Sequence, residues 1–156
     1  MCPVVSPAGA DPGTPSRRSE PATEPSPSFT RAAAASIVGL APSELSGWER
    51  SLRAQAGFDL GSTLNLADLV ALAAMGVAAW RLGGRFEEFA HGLAQLFQAL
   101  RDLPDVERLD DHVAIVGRDY ARIAELRGDH VRCAGDAFLV IPLAPILASF
   151  RDQVFA

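Results

Sequence analysis

The residue types best suited to chemistry in this chain are histidine and cysteine, and they stand at three places. These places are His91 behind Glu88, His112 behind Asp110 and Asp111, and His130 three residues before Cys133. Imidazole nitrogen and thiolate sulfur bind zinc, which takes three protein ligands in catalytic sites and four in structural ones. Each place alone supplies fewer strong ligands than that.

Glu88 and His91 have the E-x-x-H spacing of carboxylate-bridged di-iron bundles, in which two such motifs meet two further glutamates. The apolar positions of the surrounding helix include Phe86 and Phe89, which places Glu88 and His91 on its outer face. The sequence contains no second E-x-x-H. We therefore expect these two side chains on a solvated face and not at a di-iron centre.

His112 points to a second kind of site, because it flanks the apolar seam of the helix predicted to follow. From that position it could meet His91 on the neighbouring helix, with Asp111 as a further ligand. Such a metal site would sit at the rim of the bundle. The competing interpretation is an acidic, solvated helix face.

His130 and Cys133 lie three residues apart, so both could face one metal ion or small ligand. Cys133 also lies about one turn from the start of a helix that Asp129 can cap, a position that lowers the pKa of a thiol. His130 would then be the candidate base, but no third catalytic member is evident. A partly buried cysteine is also ordinary core filler.

Sequence motifs of known enzymes are absent. There is no G-x-S-x-G, no P-loop and no dinucleotide-binding glycine pattern after a strand. We therefore assign no catalytic residue and no cofactor. The sequence favours a non-enzymatic protein over an enzyme, and the enzyme stays open as an alternative.

Composition and charge limit the classes of partner. The 156 residues suit one domain, 49% of them are hydrophobic, and the formal net charge is −5 with a pI of about 5.1. Nucleic-acid binding rests on a basic surface, so we expect no nucleic-acid partner. Two cysteines, Cys2 and Cys133, do not make a disulfide framework, and free thiols are expected.

The first 30 residues differ in composition from the rest of the chain. They hold seven of the 11 prolines, interspersed with Ser, Thr, Gly and Ala. Such a segment buries too little apolar surface to offset its ordering entropy, so residues 1–30 are predicted to be a disordered arm before a helical domain over 31–156. The segment has no basic region followed by an apolar run. We expect a cytoplasmic protein, or one exported without a classical signal peptide.

The domain is predicted to be organised around a helix over residues 64–82. No charged or strongly polar side chain stands between Asp68 and Arg81, which indicates a helix covered on every side. A bilayer-spanning helix needs roughly 20 apolar residues, so no transmembrane span is predicted. Thr63 or Asn65 can cap this helix, and Asp68 suits its first turn. Gly76 in the middle is expected to admit a close neighbour.

Further helices are predicted around this centre, over residues 43–56, 86–103, 106–123 and 129–141, with a terminal helix opening at Pro145 or a single kinked helix in place of the last two. Residues 29–40 could add a short helix with Thr30 as its N-cap. The seams of 86–103 and 106–123 both advance by threes and fours, which predicts an antiparallel helical hairpin. Residues 137–141 could instead form a buried strand. The fold class we predict is all-α, a bundle of five to six helices.

These features favour a non-enzymatic protein–protein interaction module: an accessory subunit, a chaperone-like adaptor or a secreted effector. A protein partner is expected, and an oligomer is left open. The apolar residues Val154 and Phe155 are the candidate contact residues, because an exposed apolar end often marks a binding surface. The alternative is a helical domain that binds a metal or small ligand through His91 and His112, or through His130 and Cys133.

Overall fold

The computed structural model describes residues 26–126 and 137–154. Within these ranges it contains five α-helices and five strands, in the order β1 Phe29–Thr30, α1 Arg31–Val38, α2 Pro42–Ala56, β2 Thr63–Leu64, α3 Leu66–Leu82, α4 Ala90–Arg101, β3 His112–Gly117, β4 Ala121–Glu125, β5 Phe138–Pro142 and α5 Ala144–Val154. Two 3-10 segments, Gly83–Phe89 and Val106–Asp111, precede α4 and β3. The fold is therefore mixed, and the all-α prediction is wrong.

The first two helices each begin with a side chain that accepts a hydrogen bond from the backbone of the first turn. The Thr30 hydroxyl accepts a hydrogen bond from the backbone N–H of Ala33 at the start of α1. At the start of α2, the Glu44 carboxylate accepts one from the backbone N–H of Ala41. Phe29 and Thr30, the last two residues of the predicted arm, pair with Leu64 and Thr63 in a short antiparallel ladder.

Helix α3 is the centre of the core, as predicted. Its start is closed by a reciprocal pair of hydrogen bonds, from Asp68 N–H to the Asn65 side chain and from Asn65 N–H to the Asp68 carboxylate. Most of its side chains from Leu66 to Ala78 are buried. The stretch Leu66–Arg101 is long and apolar enough to cross a membrane, but 56% of its most apolar window is buried inside the protein, as a core helix would be.

Helix α4 packs against α2 and α3 with one face and against the β3–β4 turn with its first turn. The backbone N–H of Gly92 donates to the carbonyl oxygen of Arg118 over 2.9 Å. An added Cβ at Gly92 would lie 1.9 Å from the carbonyl oxygen of Gly117. Only glycine allows the helix backbone to approach the turn this closely.

The second helix of the predicted hairpin does not exist. Residues 106–123 instead form a 3-10 segment, strand β3, a turn and the start of β4. Four of the six residues from His112 to Gly117 are apolar, three of them β-branched, and residues 113–117 are buried throughout. A short apolar run of this kind suits a strand covered on both faces, and it shows no alternation to reveal its period.

The three-stranded sheet has the order β4-β3-β5, with both pairings antiparallel. Ala114 pairs with Ile123 on one side and with Ile141 on the other. The predicted helix over 129–141 is wrong at its C-terminal end, because Phe138–Pro142 forms a strand, as the alternative prediction for 137–141 has it, although only Ile141 in it is buried. Residues 127–136 lie outside the described part of the chain. Helix α5 begins beside Pro145, as predicted.

Candidate functional site

The E-x-x-H pair lies on the protein surface, as predicted. Glu88 and His91 are both exposed. The Glu88 carboxylate accepts hydrogen bonds from the guanidinium of Arg85 and lies 3.4 Å from that of Arg118. The Arg85 hydrogen bond holds the pKa of Glu88 below its ordinary value. These contacts hold the 3-10 segment Gly83–Phe89 together and link it to the β3–β4 turn, which gives Glu88 a structural role.

His112 lies on strand β3, directly across from Glu125 on β4. Its Nε2 atom is 3.8 Å from Oε1 of Glu125, and its Nδ1 atom is buried without a hydrogen-bond partner. Within residues 26–126 and 137–154, no group of three or more His, Cys, Asp and Glu side chains is placed to hold one metal ion. The predicted His91 and His112 site therefore gains no third ligand from the described residues.

The remaining predicted site residues fall at or beyond the edges of the described chain. His130, Cys133 and Phe155 lie outside the described residues. Val154 is the last described residue of α5, and its side chain is half-buried against the core. Val154 therefore has a packing role of its own, and its role in binding stays a prediction.

A first polar depression lies between the start of α1 and the C-terminal half of α2, and its charged side chains form ion pairs with one another. The buried Glu49 carboxylate pairs with Arg31 and, at 3.1 Å, with Arg53. Arg53 also lies 3.3 Å from Asp59. A hydrogen bond from the backbone N–H of Gly61, together with Arg53, lowers the pKa of Asp59. This depression joins α1, α2 and the following loop, and offers no unpaired charge to a ligand.

A second polar depression lies at the start of α3, and Arg101, the one basic residue that lines it, is already paired. The buried Asp68 carboxylate is 2.6 Å from Nε of Arg101 on α4. The guanidinium of Arg101 lies over the ring of Phe58, 5.4 Å from its centroid. Asp68 is thus used twice, once to cap α3 and once to hold α4 against it. We infer that this depression stabilises the helix pair.

A third concave surface has a different character. It lies between the end of α1, the C-terminal half of α3 and the first turns of α5, and it has a volume of about 420 Å³. We call it the Trp80 groove. It is lined by uncharged residues only: Val38, Leu40, Ala73, Gly76, Val77, Trp80, Pro145, Ile146 and Ser149.

Trp80 is the most exposed large apolar side chain among the described residues. It is 86% exposed, compared with 53% for Leu126 and 41% for Phe138. Tryptophan is usually well buried, and an exposed apolar patch in a groove is typical of a binding surface. The partly exposed Val77 lies one helical turn before it and extends the apolar surface along α3.

No family model, no curated protein and no solved structure matches this chain. The function must therefore be argued from the surface itself.

Sequence reasoning did not select the Trp80 groove. The absence of polar residues from α3 predicts a helix covered on all sides, whereas α1 and α5 leave the Trp80 side open. The sequence feature that indicates this groove is Trp80 itself, which lies three residues before the glycine pair that ends the helix. A tryptophan there is less easily covered than one in the middle of the helix.

Proposed function

We propose that this protein is a non-enzymatic protein–protein interaction module that binds its partner through the Trp80 groove. The observation that carries the proposal is the 86% exposure of Trp80 beside an uncharged groove. Covering a tryptophan of this exposure removes roughly 170 Å² of surface from water, which favours binding by about 4 kcal/mol before the cost of association. Tryptophan is also among the residues that most often dominate binding energy.

The lining of the groove defines the chemistry of the partner. Eight of its nine residues are apolar or glycine, and the ninth is Ser149. A charged side chain placed there would lose water without gaining an opposite charge. The partner should therefore present an uncharged segment rich in aliphatic residues or proline. An accessory subunit, an adaptor and a secreted effector could all use such a contact.

The proposal is tested by comparing full-length wild-type protein with Trp80→Ser and with the matched control Leu126→Ser. Leu126 is also exposed, but it lies outside the groove. Affinity purification from the native cells with quantitative mass spectrometry should recover a partner with the wild type and the control, and at least tenfold less with Trp80→Ser. A photo-crosslinking amino acid at position 77 should attach to the same partner.

The circular dichroism spectrum should be the same in all three proteins, because an exposed side chain contributes little to stability. Equal recovery by Trp80→Ser and the wild type would overturn the proposal. The proposal would also be overturned if Leu126→Ser reduced the recovery of the partner as strongly as Trp80→Ser does.

A metal-binding role is the second candidate, and the buried, unpartnered Nδ1 atom of His112 is the observation that favours it. Metal analysis of purified full-length protein tests this candidate. Stoichiometric zinc that is lost in either His112→Ala or His130→Ala would support it. Zinc retained by both variants, or protein purified without stoichiometric metal, would remove it.

A further inference from the structure

The Trp80 groove has a counterpart in the chain itself. The first ten residues, MCPVVSPAGA, contain no charged side chain, and Pro3, Val4, Val5 and Pro7 stand close together. Residues 11–25, in contrast, carry five charged side chains: Asp11, Arg17, Arg18, Glu20 and Glu24. Of the two stretches, only the first ten residues match a groove whose lining is uncharged.

Proline suits this segment to the groove in a second way. A proline ring fixes φ near −65°, so a proline-containing segment loses less conformational entropy when it binds. Extended proline-rich peptides are commonly bound in grooves lined by aromatic side chains. The ring of Trp80 supplies such a surface, and its indole N–H can donate to a peptide carbonyl. Val38, Val77 and Ile146 supply aliphatic contacts beside it.

The distance between the two elements matches the chain that joins them. Ser26, the first described residue, lines the same depression as Asn65 and Leu66 at the start of α3. Trp80 is 14 residues beyond Leu66, or about 21 Å along the helix. Eighteen residues lie between Pro7 and Ser26. A flexible linker of that length has a root-mean-square span of roughly 23 Å, and the four prolines among these residues extend it further. The effective concentration of a tethered segment is highest when these two lengths agree, and is on the order of 1 mM.

We propose that residues 3–7, Pro3-Val4-Val5-Ser6-Pro7, bind the Trp80 groove of their own chain and compete there with the partner. This inference rests on the proposed function of the groove. The arm then acts as an internal competitor, so that a partner must displace it before binding. A groove affinity tighter than about 1 mM is enough for the arm to occupy more than half of the molecules.

The test measures how accessible Trp80 is in the full-length chain. Trp48, which stacks on Phe86 with centroids 5.8 Å apart, is replaced by phenylalanine so that Trp80 is the one remaining tryptophan. Acrylamide quenching is then compared between this parent and a variant carrying Val4→Ser and Val5→Ser. The matched control carries Pro12→Ser and Pro15→Ser, which alter the arm and leave residues 3–7 intact.

If the arm occupies at least half of the molecules, the quenching constant of Trp80 should be at least twofold higher in the Val4/Val5 variant than in the parent. The proline control should behave as the parent. Fluorine NMR of chains labelled with fluorotryptophan gives the same comparison with Trp48 retained, the Trp80 resonance being assigned by its loss in Trp80→Phe. Equal quenching in the parent and the Val4/Val5 variant would overturn the inference.

Concentration separates the arm from a second copy of the chain. If the arm binds within one chain, the quenching constant of Trp80 should be the same at protein concentrations of about 1 µM and about 100 µM. Protection of Trp80 that appears only at the higher concentration would overturn the inference in favour of self-association. If quenching shows no docked arm while Trp80→Ser still loses the partner, the inference fails and the proposed function stands. If quenching shows a docked arm while Trp80→Ser still recovers the partner, the proposed function fails, and the competition with the partner fails with it, although the arm does bind the groove.

Discussion

Replacing Gly92 by alanine tests how closely helix α4 approaches the β3–β4 turn. The new Cβ atom would lie 1.9 Å from the carbonyl oxygen of Gly117 and 3.0 Å from that of Tyr120. Carbon and oxygen atoms rarely approach closer than about 3.3 Å. The helix and the turn would therefore have to separate by about 1.4 Å, which would stretch the Gly92–Arg118 hydrogen bond from its present 2.9 Å beyond bonding distance.

The cost can be estimated from the two effects. Losing the hydrogen bond costs about 1 kcal/mol, and the forced displacement of packed backbone costs about 2 kcal/mol. Alanine returns up to about 1 kcal/mol because it is the better helix former. We expect Gly92→Ala to lower the free energy of unfolding by about 2 kcal/mol, which moves the urea midpoint by roughly 1 M.

Gly76→Ala is the matched control, because it makes the same chemical change in the middle of α3. Its Cβ atom would lie 3.6 Å from Cη2 of Trp48, an ordinary van der Waals distance. This variant should therefore be more stable than the wild type, by about 0.5–1 kcal/mol. Urea unfolding followed by circular dichroism measures both variants. A Gly92→Ala protein within about 0.5 kcal/mol of the wild type, or a Gly76→Ala protein that is clearly destabilised, would refute the reasoning.

Two further predictions concern ion pairs. Arg101→Met leaves the buried Asp68 carboxylate without its cation and should lower the free energy of unfolding by about 3 kcal/mol. This is the low end of the range for buried ion pairs, because Arg101 is partly exposed. A loss below about 1 kcal/mol in urea unfolding would contradict this prediction. The backbone N–H of Gly61 and the guanidinium of Arg53 lower the pKa of Asp59 beneath its ordinary value of 3.8. Ionised Asp59 therefore stabilises the fold above about pH 4, and this stabilisation is lost as the pH falls through the lower pKa of the folded state. Asp59→Asn should therefore lose less stability than the wild type between about pH 5 and pH 2, and an equal loss would count against the assignment.

The elements predicted correctly are those with strong local signals. Thr30 and Asn65 are capping residues that stand directly before helix-forming sequence, and both cap as expected. The apolar run of α3 and the alternating seam of α4 likewise depend on residues three or four positions apart. These signals are complete within a few turns of one helix, so no knowledge of the rest of the chain is needed to read them.

The sheet was missed because its signals are not local. The apolar positions from Val106 to Ile123 advance by threes and fours, which fits a helix as well as it fits the observed structure. The decisive contacts pair Ala114 with Ile141, 27 residues apart, and no periodicity within either segment specifies them. The β-branched residues in His112–Gly117 and the turn to Tyr120 favour a β-hairpin. This preference is weaker than the prediction of a helix from the three- and four-residue spacing of the apolar positions.

The same reasoning explains why the candidate site was not found from the sequence. A helix that is apolar on every face can be covered by its own chain on every face, or it can have one face left open, and both cases have the same composition. The structure distinguishes them, because α3 is buried from Leu66 to Leu72 while Ala73, Gly76, Val77 and Trp80 line an open groove. The uninterrupted apolar character of α3 up to Trp80 is what a helix needs if one face of its C-terminal half is covered only when an apolar segment binds there.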